Sequence, residues 1–487
     1  MFQIDKRELV CNTKELKRIT RPFTIGLREY NSYGNRMNTW TNAHHTPLAI
    51  ALTLAILGGM GASFMLDDPT HAALLGIVMF LVTLWTNEGL PLGVVSLLPL
   101  ILFPAFDVLP LQVTASNYAN PVIFLFLGGF MLAIAIQKTG LHQFLANVML
   151  PKSAVTPRSV IFSLGLIAAL LSALLSNTTT ALLLLPIAMY LTQERLYRAR
   201  FVLAIAYGAS IGGIITPIGT PPNLILMGFL ESQGLESIRF VNWMIMTLPL
   251  ALIMLTIMPW LLSIGLPREH TSFQLHKPQG AMTPKQRKLT YTLGLLALLL
   301  ILNSPIEPWY PGLGLNEKLI MLGFGLLMFM PGMNYLQWED TKSIPYEIIF
   351  LFGAGFAIAS AFMDCGLAEV VASSLQSLSS LPLFALIVLV AILITFSTEV
   401  TSNTALISLA LPIIYSLGKV SSIDSTLILM VATICGSYAF MLPIATPPNA
   451  IAISSGALKI KEMMKIGFVF NITGIILISL MAWFFWQ

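Results

Sequence analysis

Apolar runs of about 20 residues, separated by short polar breaks, recur along almost the whole chain after residue 46. A run of this length is what an α-helix needs to cross the hydrocarbon core of a bilayer. The pattern predicts an all-α polytopic membrane protein with 11 transmembrane helices. They are expected at 47–66, 71–88, 91–106, 121–138, 200–232, 240–266, 289–303, 317–332, 346–364, 424–457 and 462–486.

Two further apolar runs, 159–192 and 383–416, are too long for one crossing and carry a polar centre. The centres are Ser176-Asn177-Thr178 and Ser402-Asn403-Thr404. Irregular polar backbone is tolerated at membrane depth only where it is packed in protein or lines a cavity. Each run is therefore predicted to be a re-entrant helical hairpin that enters the membrane and returns to the same side.

The distribution of basic residues supports this layout. With the N-terminus in the cytoplasm, 23 of the 26 Lys and Arg residues fall on the inner side. Only Arg239, Lys318 and Lys419 fall outside. This is the positive-inside asymmetry, and it holds only if both hairpins are re-entrant. The sequence therefore predicts a multi-pass protein of the cell inner (plasma) membrane with a cytoplasmic N-terminal tail.

Composition excludes most other classes. The chain is 56% hydrophobic and 10% charged, far from a soluble globular protein. Three separated cysteines give no disulfide framework or CxxC motif, and the histidines lack metal-ligand spacing. The chain contains no HExxH motif and no Ser–His pair in register, which disfavours an intramembrane enzyme.

An internal repeat relates the two hairpins. The Ser-Asn-Thr motif at 176 recurs at 402, and "PIGTPPN" (217–223) recurs as "PIATPPN" (443–449), both at an offset of 226 residues. At the same offset, 10 of 19 positions after Ile123 are identical to those after Ile349. Five predicted crossings separate the hairpins, so the second copy is expected to be inverted relative to the first. Inverted repeats with broken helices are typical of secondary transporters.

The polar motifs fit a shared cation and anion site. The Pro-Pro pairs at 221 and 447 break their helices, and every break exposes carbonyls at one helix end and N–H groups at the other. Carbonyl ends attract cations and N–H ends attract anions. Among the breaks only Glu399 is ionic, and a structural role, with its carboxylate bonded to the tip backbone, is favoured for it. Neutral oxygen ligands suit a hard monovalent ion, most simply Na⁺.

These motifs resemble the divalent anion:sodium symporter family, whose signature is two Ser-Asn-Thr tips paired with two Thr-Pro helix breaks. The resemblance covers nearly all of 47–487 and implies a homodimer with a scaffold and a transport domain that moves as an elevator. The implied organisation is 1–46, cytoplasmic tail; 47–150, scaffold helices; 151–266, hairpin and transport-domain helices; 267–288, cytoplasmic linker; 289–380, scaffold helices; 381–487, hairpin and transport-domain helices.

The resemblance also implies the roles of the site residues. The substrate-binding residues would be Asn177, Thr178, Asn403, Thr404 and Pro447. The residues of the first sodium site would be Ser172, Ser176, Asn177 and the backbone near Gly219. The residues of the second would be Thr398, Thr401, Asn403 and the backbone near Ala445. Positions 172 and 398, and 219 and 445, are related by the same offset.

The resulting functional hypothesis is sodium-coupled symport of C4-dicarboxylates such as succinate, malate and fumarate. A dicarboxylate exchanger of the same family and an anion channel with a filter of re-entrant hairpins remain alternatives. The expected partners are the dicarboxylate, Na⁺ as coupling ion, the lipid bilayer and a second copy of the chain. No other cofactor and no nucleic acid is expected.

Overall fold

The computed structural model describes residues 45–87, 89–149, 156–267, 281–305, 309–374, 381–420 and 424–486. The tail at 1–46, apart from its last two residues, and most of the linker at 267–288 lie outside these ranges. Every regular element of the described chain is helical. The predicted all-α class is therefore confirmed.

Six helical segments are each long and apolar enough to cross a membrane. Five of them begin and end within four residues of a predicted helix, and 346–364 is reproduced at both ends. The sixth, Leu111–Lys138, contains the predicted helix 121–138, which forms Pro121–Lys138 after a short separate helix. Of the other predicted helices, 91–106, 200–232 and 424–457 are interrupted, 317–332 is shortened to Glu317–Leu327, and 289–303 is part of Pro284–Asn303. The total of 11 crossings therefore remains a prediction. The six segments are Thr46–Met65, Pro69–Asn87, Leu111–Lys138, Phe240–Leu262, Tyr346–Asp364 and Ile460–Phe484.

All four predicted interruptions are present. The hairpin runs divide into Pro157–Ser172 with Asn177–Leu191, and Leu383–Thr398 with Asn403–Val420. The runs with Pro-Pro pairs divide into Arg195–Gly213 with Pro221–Ser232, and Ser425–Ser437 with Pro447–Ser454. We call 172–178 and 398–404 the first and second tips, and 213–220 and 438–446 the first and second breaks.

Local sequence signals account for several helix starts. Asn120 accepts a hydrogen bond from the Val122 N–H with Pro121 as first helical residue. Thr283 forms a capping box with Gln286, and Pro284 follows it. Proline suits this first position because its missing N–H would have no partner there. The capping box explains why this helix spans Pro284–Asn303 and begins earlier than the predicted 289.

The predicted helix 91–106 is divided into Leu92–Leu97 and Pro99–Ala105, with Pro99 in the first turn of the second half. Among the described residues, four short helical segments were not predicted by the apolar pattern. Two of them, Leu141–Met149 and Leu367–Ser374, begin at positions separated by the repeat offset. The other two are Leu111–Asn117 and the 3₁₀ helix Trp338–Ser343.

The first hairpin packs closely on the first broken helix because glycines line the contact. A Cβ atom on Gly208 would lie 2.5 Å from the Gly165 carbonyl oxygen. On Gly212 it would approach the backbone of Ala169 more closely still. Any larger residue at these positions would push the two helices apart. The contact therefore fixes the first tip against the first break.

Aromatic packing joins the two copies of the repeat. The Tyr207 ring lies 4.9 Å from that of Phe440 and 4.8 Å from that of Phe470, measured between centroids. Tyr207 also donates a hydrogen bond of 2.7 Å to the Phe440 carbonyl oxygen. A residue of the first broken helix is thus bonded to the second break.

Candidate functional site

Both tips and both breaks line one cavity of about 660 Å³. Most of the polar residues in its wall come from the repeated Ser-Asn-Thr and Thr-Pro-Pro motifs. The rest of the wall is mostly apolar and includes Trp85, Phe126, Phe130 and Leu351. This apolar part was not predicted, because isolated aromatic residues in apolar helices carry no distinguishing signal. A cavity of this size is typical of small-molecule sites.

The structure brings the predicted site residues together. Asn177, Thr178, Asn403, Thr404 and Pro447, which were predicted to bind substrate, all line the cavity. Among the predicted sodium ligands, Ser172 and Thr398 lie behind the cavity wall and are fully buried. The remaining predicted sodium residues line the cavity, and they are Ser176, Gly219, Thr401 and Ala445.

Each tip contains a close pair of oxygen atoms from a hydroxyl and an amide. The Ser172 hydroxyl donates to Asn177 Oδ1 at 2.5 Å, and the Thr398 hydroxyl donates to Asn403 Oδ1 at 2.6 Å. These pairs occupy equivalent positions of the repeat. Neutral oxygens held this close can serve as two ligands of one hard cation.

The helices that begin at the tips supply the N–H groups of the site. The first N–H groups of an α-helix have no partner within the helix. In the helix that begins at Asn177, the third N–H group, that of Thr179, donates a hydrogen bond to the Ser176 hydroxyl, which caps the helix. The N–H groups of Asn177 and Thr178 remain directed to the N-terminal end. The helix Asn403–Val420 begins at the equivalent position.

The helices that begin at the breaks contribute differently. Their first two residues are prolines, which have no N–H. The third N–H is already used, by the Thr220 carbonyl oxygen in one copy and by the Thr446 hydroxyl in the other. This differs from the expectation that every break exposes N–H groups. The breaks therefore offer a helix dipole, carbonyl oxygens and proline rings, and the direct N–H donors belong to the tips.

In the first break, four consecutive carbonyl oxygens accept hydrogen bonds from side chains. The Asn223 amide bonds the carbonyls of Gly213 at 3.1 Å and Thr216 at 2.9 Å. Trp243 and Thr247 bond the two carbonyls between them, at 2.8 and 3.3 Å. The irregular backbone is therefore satisfied, as burial at membrane depth requires.

The second break is held by a buried carboxylate. Glu399 is 3% exposed and accepts hydrogen bonds from three consecutive backbone N–H groups, those of Phe440, Met441 and Leu442, at 2.7 to 2.9 Å. Its fourth donor is the Asn471 amide, at 2.6 Å. These bonds agree with the structural role favoured for Glu399, although its partners are in the second break and not in its own tip. The equivalent position in the first copy is Ala173.

Asn449 repeats the contacts of Asn223. Its amide bonds the carbonyls of Ala439 at 3.0 Å and Leu442 at 3.1 Å. Both asparagines lie within the repeated motifs, but no role was predicted for either of them. The signal was present, because both recur at the offset of 226 residues.

None of the described residues that line the cavity is Asp, Glu, Lys, Arg or His. An anion in this cavity would meet helix N-termini, amides and hydroxyls in place of basic side chains. A cation would meet backbone carbonyls and the oxygen pairs of the tips. The described residues hold no group of three or more His, Cys, Asp or Glu that could bind a transition metal. The donor set fits an alkali cation.

Comparison with known proteins places the chain in a family. The sequence profile described as "Citrate transporter" matches residues 77–436. The sodium-dependent dicarboxylate transporter SdcS of Staphylococcus saprophyticus is 30% identical over 90% of this chain and 89% of its own. SdcS of Staphylococcus aureus is 31% identical over 84% of this chain and 85% of its own.

Two solved transporter structures share the fold at low sequence identity. The YdaH transporter of Alcanivorax borkumensis has a TM-score of 0.51 and 16% identity, covering 76% of this chain and 87% of its own. MtrF of Neisseria gonorrhoeae, described as an antimetabolite efflux pump, has a TM-score of 0.55 and 13% identity, covering 76% of this chain and 83% of its own. The profile match and the SdcS relatives identify a multi-pass membrane transporter and not an enzyme, and the two solved structures share its fold. The chain belongs to the divalent anion:sodium symporter family.

Proposed function

We propose that this protein is a secondary active transporter that couples the uptake of C4-dicarboxylates, such as succinate, malate and fumarate, to Na⁺. The observation that carries the proposal is the cavity lined by both tips and both breaks, whose described lining residues include no charged side chain. Sodium dependence and dicarboxylate transport are what the name of SdcS states for that relative.

The substrate carboxylates are assigned to the tips. Asn177 and Thr178 in one copy, and Asn403 and Thr404 in the other, combine side-chain donors with helix N-termini. Pro447 lines the same cavity and would contact the carbon chain. Because each helix end supplies only about half an elementary charge, the tips alone leave a dianion incompletely neutralised.

We assign the neutralisation of the remaining substrate charge to two sodium ions. The first would bind Ser172, Ser176, Asn177 and the backbone near Gly219, and the second Thr398, Thr401, Asn403 and the backbone near Ala445. The oxygen pairs of the two tips support this assignment. Since Asn177 and Asn403 serve both ligands, sodium and substrate would strengthen each other's binding.

Movement of one part of the protein against another would carry the site across the membrane. We assign helices 47–138 and 289–364 to a scaffold, in a homodimer of inverted repeats with a cytoplasmic N-terminus. The hairpins and helices 200–266 and 424–486 are assigned to the moving part. The ion pair of Glu231 with Lys318, 2.5 Å long, would then join the two parts.

Cross-linking tests this movement. Cysteines at Glu231 and Lys318, in a background without native cysteines, would be bridged by a bifunctional thiol reagent. Bridging should abolish transport. The control is the ion pair of Arg195 with Glu462, 2.9 Å long, whose residues both belong to the proposed moving part. Bridging the control should leave transport intact, and full transport with Glu231 bridged to Lys318 would refute the assignment.

Uptake by proteoliposomes tests the function itself. Radiolabelled succinate should accumulate when Na⁺ is supplied outside and not when choline replaces it. Unlabelled malate and fumarate should compete, and the same assay with citrate, tartrate and sulfate defines the anion class. Equal uptake in sodium and choline, with exchange against internal dicarboxylate, would favour an exchanger. Uptake that fails to saturate would favour a channel.

A further inference from the structure

The Asn223 and Asn449 side chains form two equivalent clamps across the breaks. Each is fully buried and uses both amide hydrogens to bond two carbonyls of its own break. The bonded positions, 213 and 216 in one copy and 439 and 442 in the other, are related by the repeat offset. The same side chain therefore makes the same pair of bonds twice.

The amide oxygens of these residues make the arrangement costly. Oδ1 of both Asn223 and Asn449 is buried without a hydrogen-bond partner among the described residues. Burying an unpaired acceptor costs roughly 1–3 kcal/mol. The chain bears this cost at both positions, so the two amide donors have a use that an apolar side chain of similar size would not serve.

Close contacts connect the first clamp to the first proposed sodium site. A Cβ atom on Gly213 would lie 2.8 Å from Asn177 Oδ1. A Cβ atom on Gly219 would approach the Gly213 carbonyl oxygen closely. Gly213, whose carbonyl Asn223 holds, therefore packs against both Asn177 and Gly219, which are assigned to the cation. If the bond from Asn223 were lost, the backbone that presents Gly219 would lose its fixed position.

We propose that Asn223 and Asn449 are positioning residues that set the sodium affinity of the first and second sites, respectively, without touching the ion or the substrate. The proposal rests on the sodium-coupled function proposed above. An uncharged amide suits this task because it donates two hydrogen bonds and adds no charge next to a cation. Each clamp acts on its own copy, so the two should be separable by mutation.

The test measures succinate uptake against sodium concentration in proteoliposomes for Asn223→Ala and Asn449→Ala. Loss of a group that orients metal ligands typically weakens metal binding roughly tenfold or more. Each variant should therefore raise the half-saturating sodium concentration by about tenfold. The succinate KM, measured at saturating sodium, should remain close to that of the wild type.

Asn303→Ala is the matched control. Asn303 is 2% exposed and bonds the Leu315 backbone through both its amide nitrogen and its oxygen, at 2.9 and 2.8 Å, outside the cavity. Its loss should lower thermal stability and leave sodium dependence unchanged. Should an alanine variant fail to fold, Asn223→Ser keeps one donor and should shift the sodium requirement by less.

The outcomes separate this inference from the proposed function. If wild-type uptake shows no sodium dependence, the proposed function fails. If the wild type depends on sodium and the two variants match it at every concentration, the positioning role is refuted. An equal shift in Asn303→Ala would also refute it, because the effect would then be one of general stability.

Discussion

Replacing Thr398 with valine tests the second sodium site with little change of shape. Valine matches threonine in outline but lacks the hydroxyl, which is buried and bonds Asn403 Oδ1 at 2.6 Å and the Gly436 carbonyl at 3.0 Å. Loss of one proposed ligand, together with the bond that orients Asn403, should cost roughly 1–2 kcal/mol of sodium binding. That corresponds to an increase of about 5- to 30-fold in the sodium concentration for half-maximal uptake.

The assay is succinate uptake by proteoliposomes over a range of sodium concentrations. Because the anion donors of the tips remain, high sodium should restore much of the lost transport. Thr395→Val is the control, since Thr395 is equally buried one turn earlier on the same helix and is not a proposed ligand. An unchanged sodium requirement in Thr398→Val, or an equal change in the control, would refute the reasoning.

Three further predictions concern the tips and the topology. Asn177→Ala and Asn403→Ala should each weaken the binding of both succinate and sodium, because both ligands bind the same residue. Calorimetry that shows a loss of succinate affinity with an unchanged sodium dependence would contradict this. Glu399→Ala leaves one buried and two partly buried backbone N–H groups without their acceptor. It should destabilise the protein by roughly 3 kcal/mol or more, visible as a lower melting temperature, and an unchanged midpoint argues against the structural role. A cysteine at Thr156 should react with impermeant thiol reagents from the cytoplasm, and a cysteine at Leu381 should react from outside. Reaction of both cysteines from the same side would exclude inverted hairpins.

Much of the fold was predictable because the membrane restricts the backbone to a few solutions. Apolar length predicted the helix 121–138, and Asn120 with Pro121 set its start. The Pro-Pro pairs predicted the two breaks, since proline cannot continue a helix. The repeat offset predicted that the tips and breaks would act as a set, and they line one cavity.

The rest depended on contacts that sequence periodicity does not encode. That Glu399 would bond the backbone of Phe440 could not be inferred, because the pair is separated by 41 residues. The apolar wall around Trp85 arises from the tertiary arrangement of helices, and its residues resemble any other lipid- or core-facing side chain. The roles of Asn223 and Asn449 were within reach, since an asparagine repeated at a break has backbone carbonyls as its nearest partners.

In the proposed mechanism, bound cations together with helix ends neutralise the substrate in a cavity whose described lining carries no charge. The decisive experiment is calorimetric titration of the purified protein with succinate at several sodium concentrations, with choline holding ionic strength constant. We expect the succinate Kd to fall steadily as sodium rises and binding to be lost in choline alone. The same Kd in sodium and in choline would refute neutralisation by bound cations.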